Sequence, residues 1–530
     1  MGRDPPAWAP LRRSMFRALW LAQFAGNVGT WAQTVGAQWL MGDLSTSELA
    51  VALVQVATTL PVFLLVLPAG SLGDIVDRRR LLLAGQTLMF LGAGTLAALT
   101  AAHTITPASL LALIALMGVG QALCVPTFQA IQPELVDRDE IADAALLNGV
   151  NFNVARAVGP ALGGLLIATV GPAATFALNA TSFLAVLAVL VRWRRPQDRR
   201  PLGVERLRAA IRAGRRYVGS APRFATVLVR SALFMVFASG LWALLPALAR
   251  YQLRLDAGGY GLLLASVGLG AVLGAFGVPR LRERIGTDAV VSWSGFAYAV
   301  AMAVTGLTSS TAVAVVALLV TGVAWIAVQA TLNASAQVLL PAWTRARALA
   351  YFQLVFMGGQ ALGGLGWGLL ADLASLRAAF VVAAAALAAV TAVSMRVLPL
   401  GETGVDVSTA RHWPEPVAET RPDPTDGPVL VIAEWSVPPE NAAAFVRAMR
   451  PVGRARRRTG ATSWGLYQDV TNPTAFVETF TVATWEEHLR QHYERGTAVD
   501  GELEAYAYGL TANAGEPHVR HLIRQRGFPQ

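Results

Sequence analysis

GSLGDIVDRRR, Gly70 to Arg80, separates two long apolar stretches and recurs in degraded form in the second half of the chain. It is a short hairpin of two carboxylates and three guanidinium groups between runs long enough to cross a bilayer. Met twice in one chain, it marks a membrane bundle built by duplication.

Working outward, hydrophobic residues make up 54% of the 530 and charged residues only 14%, more apolar surface than a soluble protein of this size needs. A window of about twenty residues, the length that crosses a bilayer, picks out about twelve apolar segments, the first near Ala18 and the last near Arg377. The basic residues are all Arg, and they cluster before the first segment (Arg12, Arg13, Arg17), after the second (Arg78 to Arg80), after the eighth (Arg280, Arg282, Arg284) and before the eleventh (Arg345, Arg347). The alternate loops are poor in Arg. The positive-inside rule then puts both ends of the membrane domain in the cytoplasm. The apolar stretch after Arg17 is too long and too polar for a cleaved leader and reads as the first span. The high pI reflects topology, so no nucleic-acid partner is expected. Single Cys124 precludes an intrachain disulfide.

These signals divide the chain into a six-helix half at 1–192, a basic cytoplasmic linker at 193–223, a second six-helix half at 224–398, a Pro-rich linker at 399–428 and a soluble domain at 429–530. In the basic linker Val204, Leu207, Ile211 and Val218 recur at helical spacing, as in an amphipathic helix lying on anionic membrane lipid. Duplication shows again inside the spans. Gly159, Ala161, Leu162, Gly163 and Gly164 recur at a constant offset as Gly359, Ala361, Leu362, Gly363 and Gly364, so the fifth and eleventh helices read as copies, each with a small-residue stripe for close helix approach. The fold class expected is all-α membrane protein, twelve transmembrane helices in two halves, followed by an α+β domain.

With Gly70, Asp74, Arg78 and Arg79 on the page, the chain resembles the major facilitator superfamily, whose loop between helices two and three carries Gly-x-x-x-Asp-Arg-x-Gly-Arg-Arg. Ile75 and Asp77 depart from that pattern, and the form with Asp-Arg-Arg is similar to the transmembrane secretion effector branch, which includes enterobactin and macrolide exporters. Gly159-Pro160-x-x-Gly163-Gly164 is similar to the motif of the superfamily's drug antiporters. The resemblance covers about residues 15 to 400 and implies alternating access, with Gly70, Asp74, Arg78 and Arg79 as a cytoplasmic gate latch.

The residues themselves nominate further candidates. Arg156 is a charge within a span, costly unless paired or hydrated, and shares a helical face with Asn153; the alternatives are a role facing the central cavity and a guanidinium snorkelling to the surface. Gly159, Pro160 and Gly163 would shape helix five. Asp43 could take up protons from outside. Asn27, Gln33 and Gln38, with Trp31, Trp39, Phe128, Trp325 and Phe352, suit a cavity that binds bulky amphipathic ligands, although each aromatic also reads as packing. No Lys exists, so no ATP-binding P-loop does, and no cofactor is expected.

In the tail, VLVIAEWSV, ATSWGLYQDV, TAFVETFTV and EPHVRHLIR read as strands and two stretches between them as helices. The order β-α-β-β-α-β is a ferredoxin-like split unit. It resembles the antibiotic-biosynthesis-monooxygenase type, which implies a homodimerising or regulatory tail, with an oxygenase as the lesser reading. His488 and His492 are four apart and could hold a metal, but no HExxH or nearby Cys supports it, and they read as surface or dimer-contact histidines.

The reading is a proton-linked exporter of hydrophobic or amphipathic small molecules (drugs, siderophores, secondary metabolites) in the bacterial cytoplasmic membrane, and not an enzyme. The alternatives are an importer of the same fold, or a membrane-anchored metabolite-modifying enzyme working through the tail.

Overall fold

The computed structural model describes residues 8–131, 135–137, 140–193, 219–341, 344–400, 410, 422–512 and 517–524. Most of the basic linker and of the Pro-rich linker lies outside them, and with it the expected amphipathic helix.

Twelve long helices precede the tail among the described residues: α1 (Ser14–Leu44), α2 (Glu48–Ile75), α3 (Arg78–Ala101), α4 (Pro107–Ile131), α5 (Ile141–Thr169), α6 (Pro172–Arg192), α7 (Pro222–Ala247), α8 (Ala257–Ile285), α9 (Thr287–Leu307), α10 (Thr311–Val338), α11 (Arg345–Leu373) and α12 (Leu376–Val397). Eleven are long and apolar enough to cross a membrane. The exception is α1, which at 31 residues has the length but not the hydropathy. Its polar groups are spent on other helices: Asn27 donates to Asn151 Oδ1 at 2.9 Å, Gln33 Oε1 accepts from Asn179 at 2.8 Å, and Gln38 Oε1 accepts from Tyr260 at 2.5 Å. In hydrocarbon such pairs hold helices together, so these three residues serve as helix contacts rather than as the open ligand-binding groups expected of them.

Helix starts are set by side-chain caps: Ser47 for α2, Asp77 for α3, Asp256 for α8 and Ser375 for α12, each accepting from a backbone N–H three residues on. Pro160 lies inside α5 and so leaves the Arg156 carbonyl without its helical donor. That carbonyl lies against Gly268 of α8, where a Cβ would come within 3.0 Å of it. Pro246 near the end of α7 is followed by one wide π turn, Leu248–Gln252.

The duplication is visible in packing. A Cβ on Gly159 would fall 2.5 Å from Trp31 Cβ of α1, and one on Gly359 2.9 Å from Met235 Cβ of α7. A Cβ on Gly163 would fall 2.8 Å from the Ala32 backbone, and one on Gly363 would meet Val236 and Ser239. Gly164 meets α8 at Ala257 and Gly261, and Gly364 meets α2 at Gln55 and Val56. Thus α5 stands to α1 and α8 as α11 stands to α7 and α2, the relation expected of two parallel halves.

The tail forms a four-stranded antiparallel sheet in the order β2-β3-β1-β4, from β1 (Val429–Ser436), β2 (Ala461–Gln468), β3 (Ala475–Val482) and β4 (His518–Ile523). Helices α13 (Ala442–Thr459), α14 (Trp485–Arg490) and α15 (Ala498–Tyr508) complete the split βαββαβ unit. Strand β1 alternates, burying Val429, Val431, Ala433 and Trp435. The last two pack with Phe445, Met449, Phe476 and Ala507 in one cluster, while Val429 and Val431 join Phe480, Val482 and Trp485 in a second.

Candidate functional site

Aromatic rings from both halves of the helical bundle meet. Trp31 of α1 lies 6.3 Å from Phe152 of α5 and 6.3 Å from Trp242 of α7, ring centre to ring centre. Trp242 is 5.3 Å from Trp325 of α10, which lies 6.2 Å from Phe356 of α11. These five rings form one seam across both halves. Around it Gln38 donates to the Trp242 carbonyl at 3.4 Å and Tyr260 stacks on Trp39 at 6.3 Å. Trp31 and Trp325, chosen from sequence, belong to the seam; Trp325 and Trp242 are buried, as is Phe352.

Arg156 is 6% exposed and donates to Asn153 Oδ1 at 2.9 Å, while its Nε has no partner among the described residues. This enclosure speaks against a guanidinium that snorkels to the surface. Phe152, one turn before Arg156, belongs to the seam, so the buried charge and the aromatic ring share one helix face.

Ion pairs sort by position. Where α1 ends, Asp43 is paired with Arg250, whose Cζ lies 5.0 Å over the Trp39 ring. Beside it Ser47 Oγ and Glu48 N both donate to Asp372 Oδ1 at 3.0 Å, joining α2 to the end of α11. Both links cross between halves. A shallow pocket lined by Gln38, Trp39, Val51, Arg250 and Tyr251 lies next to them. At the other end the described pairs stay within a half: Arg13 with Asp137 and Glu140, Arg230 with Asp288. Nothing local in the sequence marks Arg250; its partner, 207 residues away, gives it meaning.

The Gly70–Arg80 motif is placed in part. Gly70 and Asp74 fall in the last turns of α2, and the Asp74 side chain lies outside the described residues. Asp77 caps α3, which gives a local reason for Asp in place of the superfamily's glycine. Arg79 donates from Nε to the Leu190 carbonyl at 2.8 Å and from Nη2 to Val191 at 2.7 Å, on the last turn of α6. Carbonyls at a helix C-terminus have no partners within the helix, and a cation there is doubly favoured. Arg79 therefore ties the start of α3 to the end of α6.

In the tail, Arg456 of α13 is buried between Glu478 of β3, at 3.1 Å, and Glu504 of α15. Burial opposes its charge, but the two carboxylates outweigh burial and raise its pKa. His488 is not the surface histidine expected: it is 0% exposed. Burial first, and then His492 and His521, push its pKa down to about 3, and burial lowers that of His521, so the His488 ring is neutral at physiological pH.

The sequence pattern of the transmembrane secretion effector family matches residues 5–527. Among curated proteins the chain is 24% identical over 298 residues to the staphyloferrin A transporter of Staphylococcus aureus, covering 54% of this chain and 72% of that one. It is 26% identical over 384 residues to the multidrug efflux pump Tap of Mycolicibacterium fortuitum, covering 70% and 91%, and 26% identical over 275 residues to the enterobactin exporter EntS of Salmonella typhi, covering 51% and 64%. Similar solved structures include a mutant form of the nucleoside transporter NupG, with TM-score 0.61 at 12% identity over 72% of this chain and 99% of that one. A bacterial homologue of the iron transporter ferroportin, in an inward-facing state, gives 0.58 at 16% over 72% and 99%. At these identities the structures speak for the fold alone.

Proposed function

The chain belongs to the transmembrane secretion effector family of membrane transporters, and from that premise we propose that it is a proton-linked exporter of bulky hydrophobic or amphipathic small molecules such as drugs, siderophores or secondary metabolites. The observation that carries the substrate class is the aromatic seam of Trp31, Phe152, Trp242, Trp325 and Phe356. Flat rings shared by both halves bind large apolar ligands by contact area, and Arg156 offers one hydrogen-bonding charge on the same helix face as Phe152. The curated relatives named above include siderophore and drug transporters.

Transport proceeds by alternating access in the cytoplasmic membrane, with both ends of the helical domain inside. On that orientation the Asp43–Arg250 and Ser47/Glu48–Asp372 links close the outer side. Gly70, Asp74, Arg78 and Arg79 form the inner latch, with Arg79 carrying the motion of α3 to α6 through its two hydrogen bonds. Asp43 serves as a gate residue that meets Arg250, and protonating it would release the pair. Gly159 and Gly163 fix the seat of α5 on α1, Pro160 frees the carbonyl that faces α8, and Asn153 positions Arg156. The tail acts as a dimerising or regulatory domain.

The test is dye and drug accumulation in efflux-deficient cells, with wild-type protein or Asp74→Asn, with and without a protonophore. Export requires lower accumulation that depends on both Asp74 and the proton gradient. Uptake into inverted vesicles separates exporter from importer, because the importer would fill right-side-out vesicles instead.

A further inference from the structure

The tail brings together three histidines that no part of a transport mechanism uses. His488 on α14, His492 in the turn that follows it, and His521 on β4 present ring nitrogens that all lie within 4.8 Å of one another. Their ring centres are 4.7 Å apart for His488 and His492, 4.8 Å for His488 and His521, and 6.3 Å for His492 and His521. Pairing of β4 beside β1, with His521 opposite Val431, is what delivers the third ring to the other two.

A second observation points to a ligand. His488 is 0% exposed, yet among the described residues neither Nδ1 nor Nε2 has a hydrogen-bond partner, and the buried Nε2 of His521 has none either. A neutral imidazole carries one donor and one acceptor, and buried polar groups are almost always satisfied. Hydrophobic packing does not explain why these positions hold histidine rather than leucine or phenylalanine. Gln491, three residues after His488, also buries an Oε1 with no partner among the described residues.

We propose that His488, His492 and His521 form a binding site for one divalent transition-metal ion of the zinc class, with the fourth coordination position open. Imidazole is the ligand such ions favour. Metal–nitrogen distances of ~2.0–2.1 Å in tetrahedral geometry set ligand nitrogens ~3.4 Å apart, a closure that rotation of the outer two rings supplies. His492 and His521 are partly exposed and give the entry path. Three protein ligands and an open position are the composition of a site that exchanges its fourth ligand, which suits a metal-responsive tail better than a closed structural one.

The experiment uses the full-length protein, purified without a polyhistidine tag, stripped with chelator and titrated with Co2+. One Co2+ per chain with the strong visible absorption of four-coordinate cobalt, displaced by one equivalent of Zn2+, is expected. His492→Ala and His521→Ala should each weaken binding about a hundredfold or more, since even an outer partner is worth ~10–100-fold. His518→Ala, on the same strand but outside the cluster, should leave it unchanged, and unaltered melting of the variants shows that they fold. Absence of binding at micromolar Co2+ and Zn2+, or wild-type affinity in the two ligand variants, overturns the site.

Discussion

Asp43 and Arg250 are ion-paired across the two halves of the helical domain, one at the end of α1 and the other in the wide turn that closes α7, with the guanidinium lying over Trp39. Their side chains are 42% and 28% exposed, so the pair is worth about 0.2–1 kcal/mol. That is enough to shift a two-state equilibrium up to about fivefold. Arg250→Gln should therefore speed the opening of this end and lower net export severalfold without reducing the amount of protein in the membrane. The swap Asp43→Arg with Arg250→Asp should recover part of the loss. Initial rates of dye export, normalised to membrane protein, check this; a swap no better than the single change would show that the contact itself is not what matters.

Gly163 and Gly363 offer a test of the duplication. A methyl group at either meets backbone, of Ala32 in one case and Val236 in the other, where yielding is expensive, and overpacking of this kind costs about 1–3 kcal/mol. Gly163→Ala and Gly363→Ala should each lower the melting temperature in detergent by several degrees. Gly366→Ala, on the same helix as Gly363 but with nothing within 4 Å among the described residues, should leave it unchanged or slightly raised. Equal shifts for all three would mean that helix propensity alone is being read.

Much of this architecture was legible in sequence because its cause is local or periodic. Span length, the Gly repeat of α5 and α11, and the alternation of β1 all lie along the chain. What was illegible depends on pairing at long range. The polarity of Asn27, Gln33 and Gln38 reads as an open binding cavity until Asn151, Asn179 and Tyr260 are seen opposite them. His488 reads as a surface residue because its helix is short and polar; its burial comes from β4 folding back beside β1. Arg250 is likewise silent without Asp43.

Arg156 should be needed for substrate rather than for insertion. It is buried with a single described hydrogen bond, to Asn153, and a hydrogen bond to a charged group contributes about 1.5–3 kcal/mol. Arg156→Gln should weaken the apparent affinity for a transported dye roughly tenfold to a hundredfold at unchanged expression, with Asn153→Ala showing a smaller loss. Concentration-dependent export kinetics give the answer, and an unchanged half-saturation with normal rate would remove Arg156 from the pathway.

The tail carries its own stability test. Arg456 lies between Glu478 and Glu504 with all three side chains buried, and Glu478 also accepts from Trp464 Nε1 at 2.8 Å. Removing the cation leaves two carboxylates facing each other out of water, and breaking a buried pair in this way costs about 3–5 kcal/mol. Arg456→Met should unfold the tail first. Replacing all three with apolar residues of similar size should be far milder, since no uncompensated charge remains. Limited proteolysis of the full-length protein, followed by detection of the helical domain, resolves the two cases: rapid loss of the tail in Arg456→Met with retention in the triple variant is expected. Equal protection of the single variant would mean that the two carboxylates find protons or water instead.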